Sequence, residues 1–284
     1  MNGILLIDKP KEITSRDVVD EVIKKLGIRK VGHTGTLDPI ATGVLIICVG
    51  KATKLVNYLT SRQKEYIATV ELGTMTDTLD NTGNILEEES IFKSREEIID
   101  VLNSFKGKYM QEVPIYSAVK VNGKKLYEYA RANEEVILPK REVEIQDIEL
   151  IDEVEYVNNK TTFKFKCTVS KGTYIRALIK DISNRLNTIG IMTNLKRTRQ
   201  GKYTIDECIN INEIDSSKLI SIIDAIDCKK IELSNDIEKK VLNGNKLNNT
   251  FNANKVLFIK NNKAIALYEG NSELRLSIMF KEEE

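Results

Sequence analysis

The only histidine among the 284 residues stands in the stretch richest in chemistry, Gly32-His33-Thr34-Gly35-Thr36-Leu37-Asp38-Pro39-Ile40-Ala41-Thr42-Gly43-Val44-Leu45. Its glycines permit backbone angles that a Cβ disfavours, and Leu37 and Pro39 restrict the residue between them. One carboxylate, Asp38, is therefore displayed on a shaped loop that runs into an apolar strand, as a reaction centre requires. The structural alternative is a turn in which Asp38 caps backbone amides and His33 simply packs.

The neighbouring elements must position this loop. Gly3 to Asp8 is an apolar run of strand length closed by Lys9-Pro10. From Thr14 or Ser15 the apolar residues Val18, Val19, Val22, Ile23 and Leu26 have helical spacing, with a hydroxyl cap before them and Gly27 after, which brings Arg29 and Lys30 beside His33. Val44 to Val49 is a continuous apolar strand, Ala52 to Leu59 reads as a short helix, and Lys64 to Gly73 alternates with the period of a half-buried strand. Arg95 to Phe105 has helical spacing. Residues 141–157 and 161–169 pair around Asn158-Asn159, and Thr173 is expected to cap a helix running to about Leu186. Beyond Lys229, alternating runs at Lys255 to Ile259, Ala264 to Tyr268 and Leu274 to Phe280 indicate a compact β-rich unit, and the final Glu282-Glu283-Glu284 is expected to fray.

The loop is very similar to the signature of the TruB family of tRNA pseudouridine synthases, in which the Asp is catalytic; by position that residue is Asp38. Further matches follow in family order. Asp8-Lys9-Pro10 resembles the N-terminal block, whose lysine lies near the cleft, although a solvated Lys9 fits as well. Lys64-Glu65-Tyr66 places Tyr66 where the family has its active-site tyrosine; taken alone, a strand tyrosine more often packs in a core. Gln111 to Arg131 forms another block, Lys171-Gly172-Thr173-Tyr174-Ile175-Arg176 places Tyr174 and Arg176 in the site, and Leu195-Lys196-Arg197-Thr198 follows the family's Leu-Arg-Arg-Thr. Lys196 keeps the charge of the usual arginine and loses its bidentate fork. The resemblance runs from Ile4 to about Tyr203.

Composition agrees with a soluble globular chain, at 41% hydrophobic and 30% charged. No apolar run approaches the ~20 residues that cross a bilayer, and the Met-Asn-Gly-Ile-Leu start lacks the marks of a signal peptide, so a cytoplasmic location is expected. Cys48, Cys167, Cys208 and Cys228 are dispersed and read as reduced thiols. One histidine and no paired cysteines argue against zinc; scattered carboxylates leave room for a weakly held Mg²⁺, though no metal is needed. The net charge of +1 hides segregation: residues 160–203 carry eleven Lys or Arg against the single acid Asp181. Such a segment suits a phosphate backbone, or else a solvated face balanced by nearby acids.

The resemblance implies an α+β enzyme: a mixed, largely antiparallel sheet flanked by helices over residues 1–228, and a small β-rich, PUA-like domain over residues 229–284. It implies isomerisation of a uridine in the tRNA T arm, at tRNA position 55, with no cofactor, no metal and no obligate protein partner, by a monomer. The base leaves through N1, turns, and rejoins the ribose through C5. Asp38 would serve as nucleophile toward either base or sugar, and Arg176 would keep it ionised; a unit pair at ~4 Å is worth about 4 kcal/mol at an effective dielectric of 20. Tyr66 would stack on the flipped base and handle the C5 proton. His33 would fill the vacated space, and Lys9, Tyr174, Leu195, Lys196 and Arg197 would contact substrate. Two other readings remain open: a noncatalytic tRNA-binding or folding module on the same surface, and an Asp-nucleophile nucleoside hydrolase, which would release free uracil.

Overall fold

The computed structural model describes residues 1–280; the acidic end expected to fray lies outside the described residues. The aliphatic run Ile4-Leu5-Leu6-Ile7 forms the strand Gly3–Lys9, buried on both faces, and pairs antiparallel with Thr42–Val49 in a register running from Gly3 opposite Val49 to Lys9 opposite Gly43. These strands belong to a ten-stranded sheet. Its order is Ile209–Asn210, Gly3–Lys9, Thr42–Val49, Gly190–Gln200, Lys64–Leu72, Lys160–Val169, Lys140–Val157 and Gly107–Glu112, with Val31–His33 and Tyr203–Thr204 as side branches. All pairings are antiparallel except Gly3–Lys9 with Ile209–Asn210 and a two-residue contact of Thr42-Gly43 with Lys196-Arg197. The mixed, largely antiparallel sheet is the one expected, and Lys64–Leu72 alternates buried and half-buried residues along its whole length.

Three helices cover one face. Ser15–Leu26 is opened by Thr14, whose hydroxyl accepts from the Asp17 N–H while Asp17 accepts from the Thr14 N–H, and it ends at Gly27 with φ +68°. This helix buries Val18, Val19 and Val22; Arg95–Asn103 contributes Ile98 and Leu102, and Ile175–Arg185 contributes Leu178, Ile179 and Ile182, all against Leu5, Leu45, Val70 and Phe165 of the sheet. On the opposite face Ile4, Leu6, Val44 and Ile46 meet Leu55 and Leu59, together with Leu257, Leu267 and Phe280 from near the other end of the chain. Residues 229–280 form a five-stranded sheet with the helix Asn235–Leu242 and a core of their own around Val256, Phe258 and Tyr268, the small β-rich unit expected there. Among the described residues no helix is long and apolar enough to cross a membrane.

Three expectations need correction. Ala52 to Leu59 is not one helix: Gly50–Leu55 is a 3₁₀ turn that leads into the α-helix Val56–Thr60. Thr173 does not cap the Ile175–Arg185 helix. Its hydroxyl donates to the Ser170 carbonyl at 3.0 Å, Tyr174 is the N-cap, and the Tyr174 N–H is met by the buried Gln111 amide oxygen at 2.8 Å. The basic segment 160–203 is also not one phosphate-facing surface. Neighbouring strands supply acids to its strand lysines, pairing Lys160 with Glu88, Lys164 with Asp152 and Lys166 with Glu65, while Arg197 is buried.

Candidate active site

The Asp38 loop is fastened from four sides. The Ser15 hydroxyl, in the first turn of its helix, accepts from the Leu37 N–H at 2.9 Å and donates to the Leu37 carbonyl at 3.2 Å, while the Leu37 side chain is buried. Lys9, with no exposed surface, donates to the Pro10, Ile13 and Pro39 carbonyls. Arg197, 1% exposed, donates to the Val44 carbonyl at 2.6 Å and to the Gly35 carbonyl at 3.2 Å. Finally Gly43, at φ +102°, lies so close to the Arg197 backbone that a Cβ would stand 2.2 Å from its carbonyl oxygen, which makes glycine obligatory where the two parallel strands touch.

Asp38 emerges from this support with its carboxylate one-third exposed and meets Arg176. The guanidinium approaches both oxygens, Nε at 2.9 Å from Oδ2 and Nη2 at 3.1 Å from Oδ1, a bidentate geometry that needs an acceptor-only carboxylate. Arg176 is itself fixed. It donates to the Thr78 carbonyl at 2.8 Å and to the Tyr116 carbonyl at 3.1 Å, and the buried Asp80 carboxylate lies 3.8 Å from its Nη1. Asp80 is held in turn by the Thr78 hydroxyl and the Thr82 N–H. A cation placed between two carboxylates has little freedom to leave either.

The pair opens on a cavity of about 490 Å³ whose walls include Tyr66, Leu195, Tyr174, Ser117, Lys64 and Arg197. Tyr66 is 7% exposed; burial pushes its phenol up, and the Arg197 guanidinium beside it pulls the other way. Leu195, buried on the adjacent strand, supplies an apolar wall. Gln111 bonds both backbone groups of Tyr174, its amide N–H reaching the Tyr174 carbonyl at 3.1 Å, and so sets where that ring stands. The Ser117 hydroxyl is buried with no hydrogen-bond partner in the protein. Lys64 donates to the Thr60 and Arg62 carbonyls, and burial lowers its pKa to about 8.

The structure thus brings Asp38, Tyr66, Arg176, Tyr174 and Leu195 to one cavity. Lys9 lies beneath the loop and not on the wall, so its part is to hold Pro39 and its neighbours; burial lowers it to about 8. Arg197 reaches the wall, with Nε donating to the Val44 carbonyl and Nη2 to the Gly35 carbonyl, so it also holds the loop in position. Lys196, half-buried between Leu195 and Arg197 on the strand, projects from the other face. His33 borders the loop outside the cavity lining, its Nδ1 accepting from the Gly35 N–H at 3.3 Å; burial and the Arg197 charge hold it below the ordinary histidine range. Asp80, Ser117, Gln111 and the Tyr116 carbonyl also shape the site, and motif reading gave none of them a role. A buried glutamine and an aspartate within Thr76-Asp77-Thr78-Leu79-Asp80 were the available signals.

Sheet, clamp and loop together define a pseudouridine synthase: residues 24–175 match the N-terminal domain of TruB family pseudouridylate synthases. Two relatives, each named tRNA pseudouridine synthase B, extend the match. That of Lactobacillus acidophilus is 42% identical over 100% of both chains, and that of Bacillus licheniformis is 46% identical over 86% of this chain and 82% of its own. The chain belongs to the TruB family. Its fold is shared by a solved Cbf5-Nop10-Gar1 complex, at a TM-score of 0.71 and 23% identity over 98% of this chain and 85% of the other. A structure of an H/ACA RNP bound to a substrate RNA containing 2'-deoxyuridine gives 0.70 and 22% identity over 99% and 85%.

Proposed function

We propose that this chain converts a uridine in the T arm of tRNA, at tRNA position 55, to pseudouridine, with Asp38 as nucleophile, residues 1–228 as the catalytic domain and residues 229–284 as an auxiliary grip on RNA. The observation that carries the reading is the bidentate Arg176–Asp38 pair at the base of a cavity walled by Tyr66 and Leu195. The names of the relatives supply the substrate class.

The chemistry follows from what the cavity holds. The cavity is recessed behind several chain segments, so a target nucleotide would have to leave its stack to reach Asp38, at a cost of a few kcal/mol. Arg176 holds the Asp38 side chain by both oxygens at the cavity, and the carboxylate forms a covalent bond to base or ribose as the N1 glycosidic bond breaks. The detached uracil turns against the Tyr66 ring and the Leu195 side chain and rejoins the ribose through C5, and the bond to Asp38 breaks, which returns its carboxylate with the electron pair. The C5 proton then leaves, with a proton gained at N1, so no atom is added or lost overall. Burial keeps the Tyr66 phenol up while Arg197 beside it opposes that shift, which leaves the hydroxyl next to the turning base as the group that handles the C5 proton, and the unpartnered Ser117 hydroxyl can bond a uracil edge.

The deciding experiment is single-turnover pseudouridine formation on an unmodified tRNA transcript beside equilibrium binding. Asp38→Asn should hold tRNA within a few-fold of wild type and form no product. Appreciable turnover by that variant would remove Asp38 from the reaction, and free uracil in the wild-type reaction would reassign the chain to hydrolysis.

A further inference from the structure

A second cavity, of about 530 Å³, lies across the turn that follows the Val56–Thr60 helix. Thr60 and Lys64 face the Asp38 cavity, whereas Ser61, Arg62 and Gln63 between them line the second one. The Gly190–Gln200 strand serves both, with Arg197 in the first and Arg199 and Gln200 in the second. On this strand a bulge at Thr198 shifts the register, so that Arg197 stands opposite Tyr66 and Arg199 opposite Glu65, on the other face of the sheet.

Two buried polar groups on its wall have no partner in the protein. The Tyr203 hydroxyl makes no hydrogen bond although the residue is 4% exposed. Gln200, 1% exposed, directs its amide N–H groups to Thr34 and to the Leu59 carbonyl and leaves Oε1 without a donor. Folded proteins rarely bury such groups unless something else completes them. Around them the wall pairs cations with aromatic faces: the Arg62 guanidinium lies 4.5 Å from the Tyr58 ring centre and the Lys202 ammonium 5.3 Å from that of Tyr203. Asp227 adds a carboxylate.

One chemistry satisfies all of these. The two cations meet a phosphate, an acceptor such as Gln200 Oε1 asks for a base amino or imino N–H, the Tyr203 hydroxyl can bond a base or sugar oxygen, and Asp227 can accept from a ribose hydroxyl. We propose that this cavity is a second nucleotide site, which takes one unpaired nucleotide of the same RNA whose target base enters the Asp38 cavity. The inference rests on RNA being the substrate, as read above; a free ribonucleotide shares the chemistry and is separated by the test. Gripping a second nucleotide fixes the strand on both sides of the Thr60–Lys64 turn and so helps hold the target base out of its stack.

The test uses the full chain with two substitutions outside the catalytic machinery. Tyr203→Phe removes the unpartnered hydroxyl alone, and Ser61→Trp, at an exposed position, fills the cavity. Each is titrated with unmodified tRNA transcript and, separately, with GMP, AMP and CMP, and its melting temperature is recorded. Both variants should bind tRNA about five- to tenfold more weakly, while Tyr203→Phe melts at or above the wild-type temperature because its ring needs no partner. Unchanged affinity for tRNA and for every mononucleotide would overturn the site. Weakened mononucleotide binding with unchanged tRNA affinity would overturn RNA as its occupant. A wild-type protein that binds no tRNA would strike the substrate reading instead, and the mononucleotide titrations would then decide the cavity by themselves.

Discussion

Arg176 grips both oxygens of Asp38, at 2.9 and 3.1 Å, with the same guanidinium that reaches the Thr78 and Tyr116 carbonyls. Four acceptors on one planar fork are beyond a lysine, whose ammonium keeps the charge and loses the geometry. Arg176→Lys should therefore bind tRNA within a few-fold of wild type and lose about 10²-fold or more in single-turnover rate, as a misplaced reacting group does. Near wild-type turnover would mean that charge alone suffices beside Asp38.

Tyr66 offers a ring and a hydroxyl, and two substitutions separate them. Phenylalanine keeps the stacking face, worth ~1 to 3 kcal/mol per base, and removes an acid-base group worth about 10²- to 10⁴-fold in rate; leucine removes both. Both variants should be slow, and only Tyr66→Leu should also bind tRNA more weakly. The comparison is rapid-quench pseudouridine formation beside equilibrium binding. A fast phenylalanine enzyme would leave Tyr66 as a stacking platform only.

Gly43 tests the foundation of the site. A Cβ there would stand 2.2 Å from the Arg197 carbonyl oxygen, at a φ of +102° that alanine rarely adopts. Gly43→Ala should lower stability by about 3 kcal/mol or more, read as a shift in the urea midpoint. The parallel contact of Thr42-Gly43 with Lys196-Arg197 must open to relieve the clash, so activity should fall with it.

Lys64 carries a pH signature. Its folded pKa is lowered from 10.5 to about 8, chiefly by burial and then by the charges of Arg197 and Lys171. Below pH 8 the lysine is protonated both folded and unfolded, so it adds no slope. Between pH 8 and 10.5 the unfolded chain binds the extra proton, and stability conferred by this group rises with pH. Taking the difference between wild type and Lys64→Met cancels the other titrating groups. That difference should be flat below pH 8 and move in favour of wild type above it; a flat difference up to pH 10.5 would mean that Lys64 titrates normally.

Much of this architecture was legible in residue order. The unbroken aliphatics of Val44 to Val49 and the strict alternation of Lys64 to Leu72 can be satisfied only by a doubly buried strand and a half-buried one, and both formed as read. Asp38 stood out through the resemblance of its loop to the TruB signature, and its carboxylate does meet Arg176 at the cavity. The roles of long cations were not legible. Lys9 and Arg197 resemble surface charges in sequence, yet both are buried against carbonyls that only the folded loop brings together. The Arg176 partners Thr78 and Tyr116 come from segments far apart in the chain, which no local pattern relates. The basic run 160–203 misled for a related reason, since three of its lysines, Lys160, Lys164 and Lys166, meet Glu88, Asp152 and Glu65 on other strands that only folding brings beside them.

The strand Gly3–Lys9 leaves the ribosome early but is completed late. Ile4 exchanges both backbone hydrogen bonds with Ile220, Ile7 and Asp8 pair with Ile209 and Asn210, and the outer face of the strand is covered by a cluster that includes Leu267 and Phe280. During synthesis the growing chain therefore carries an apolar sheet face that Leu55 and Leu59 cover only in part, a state in which nascent proteins are prone to aggregate. Contacts so distant in sequence also slow folding. The β-rich unit is thus a built-in cover for this sheet, and emergence of its strands, more than emergence of the Asp38 loop, sets when the face is closed.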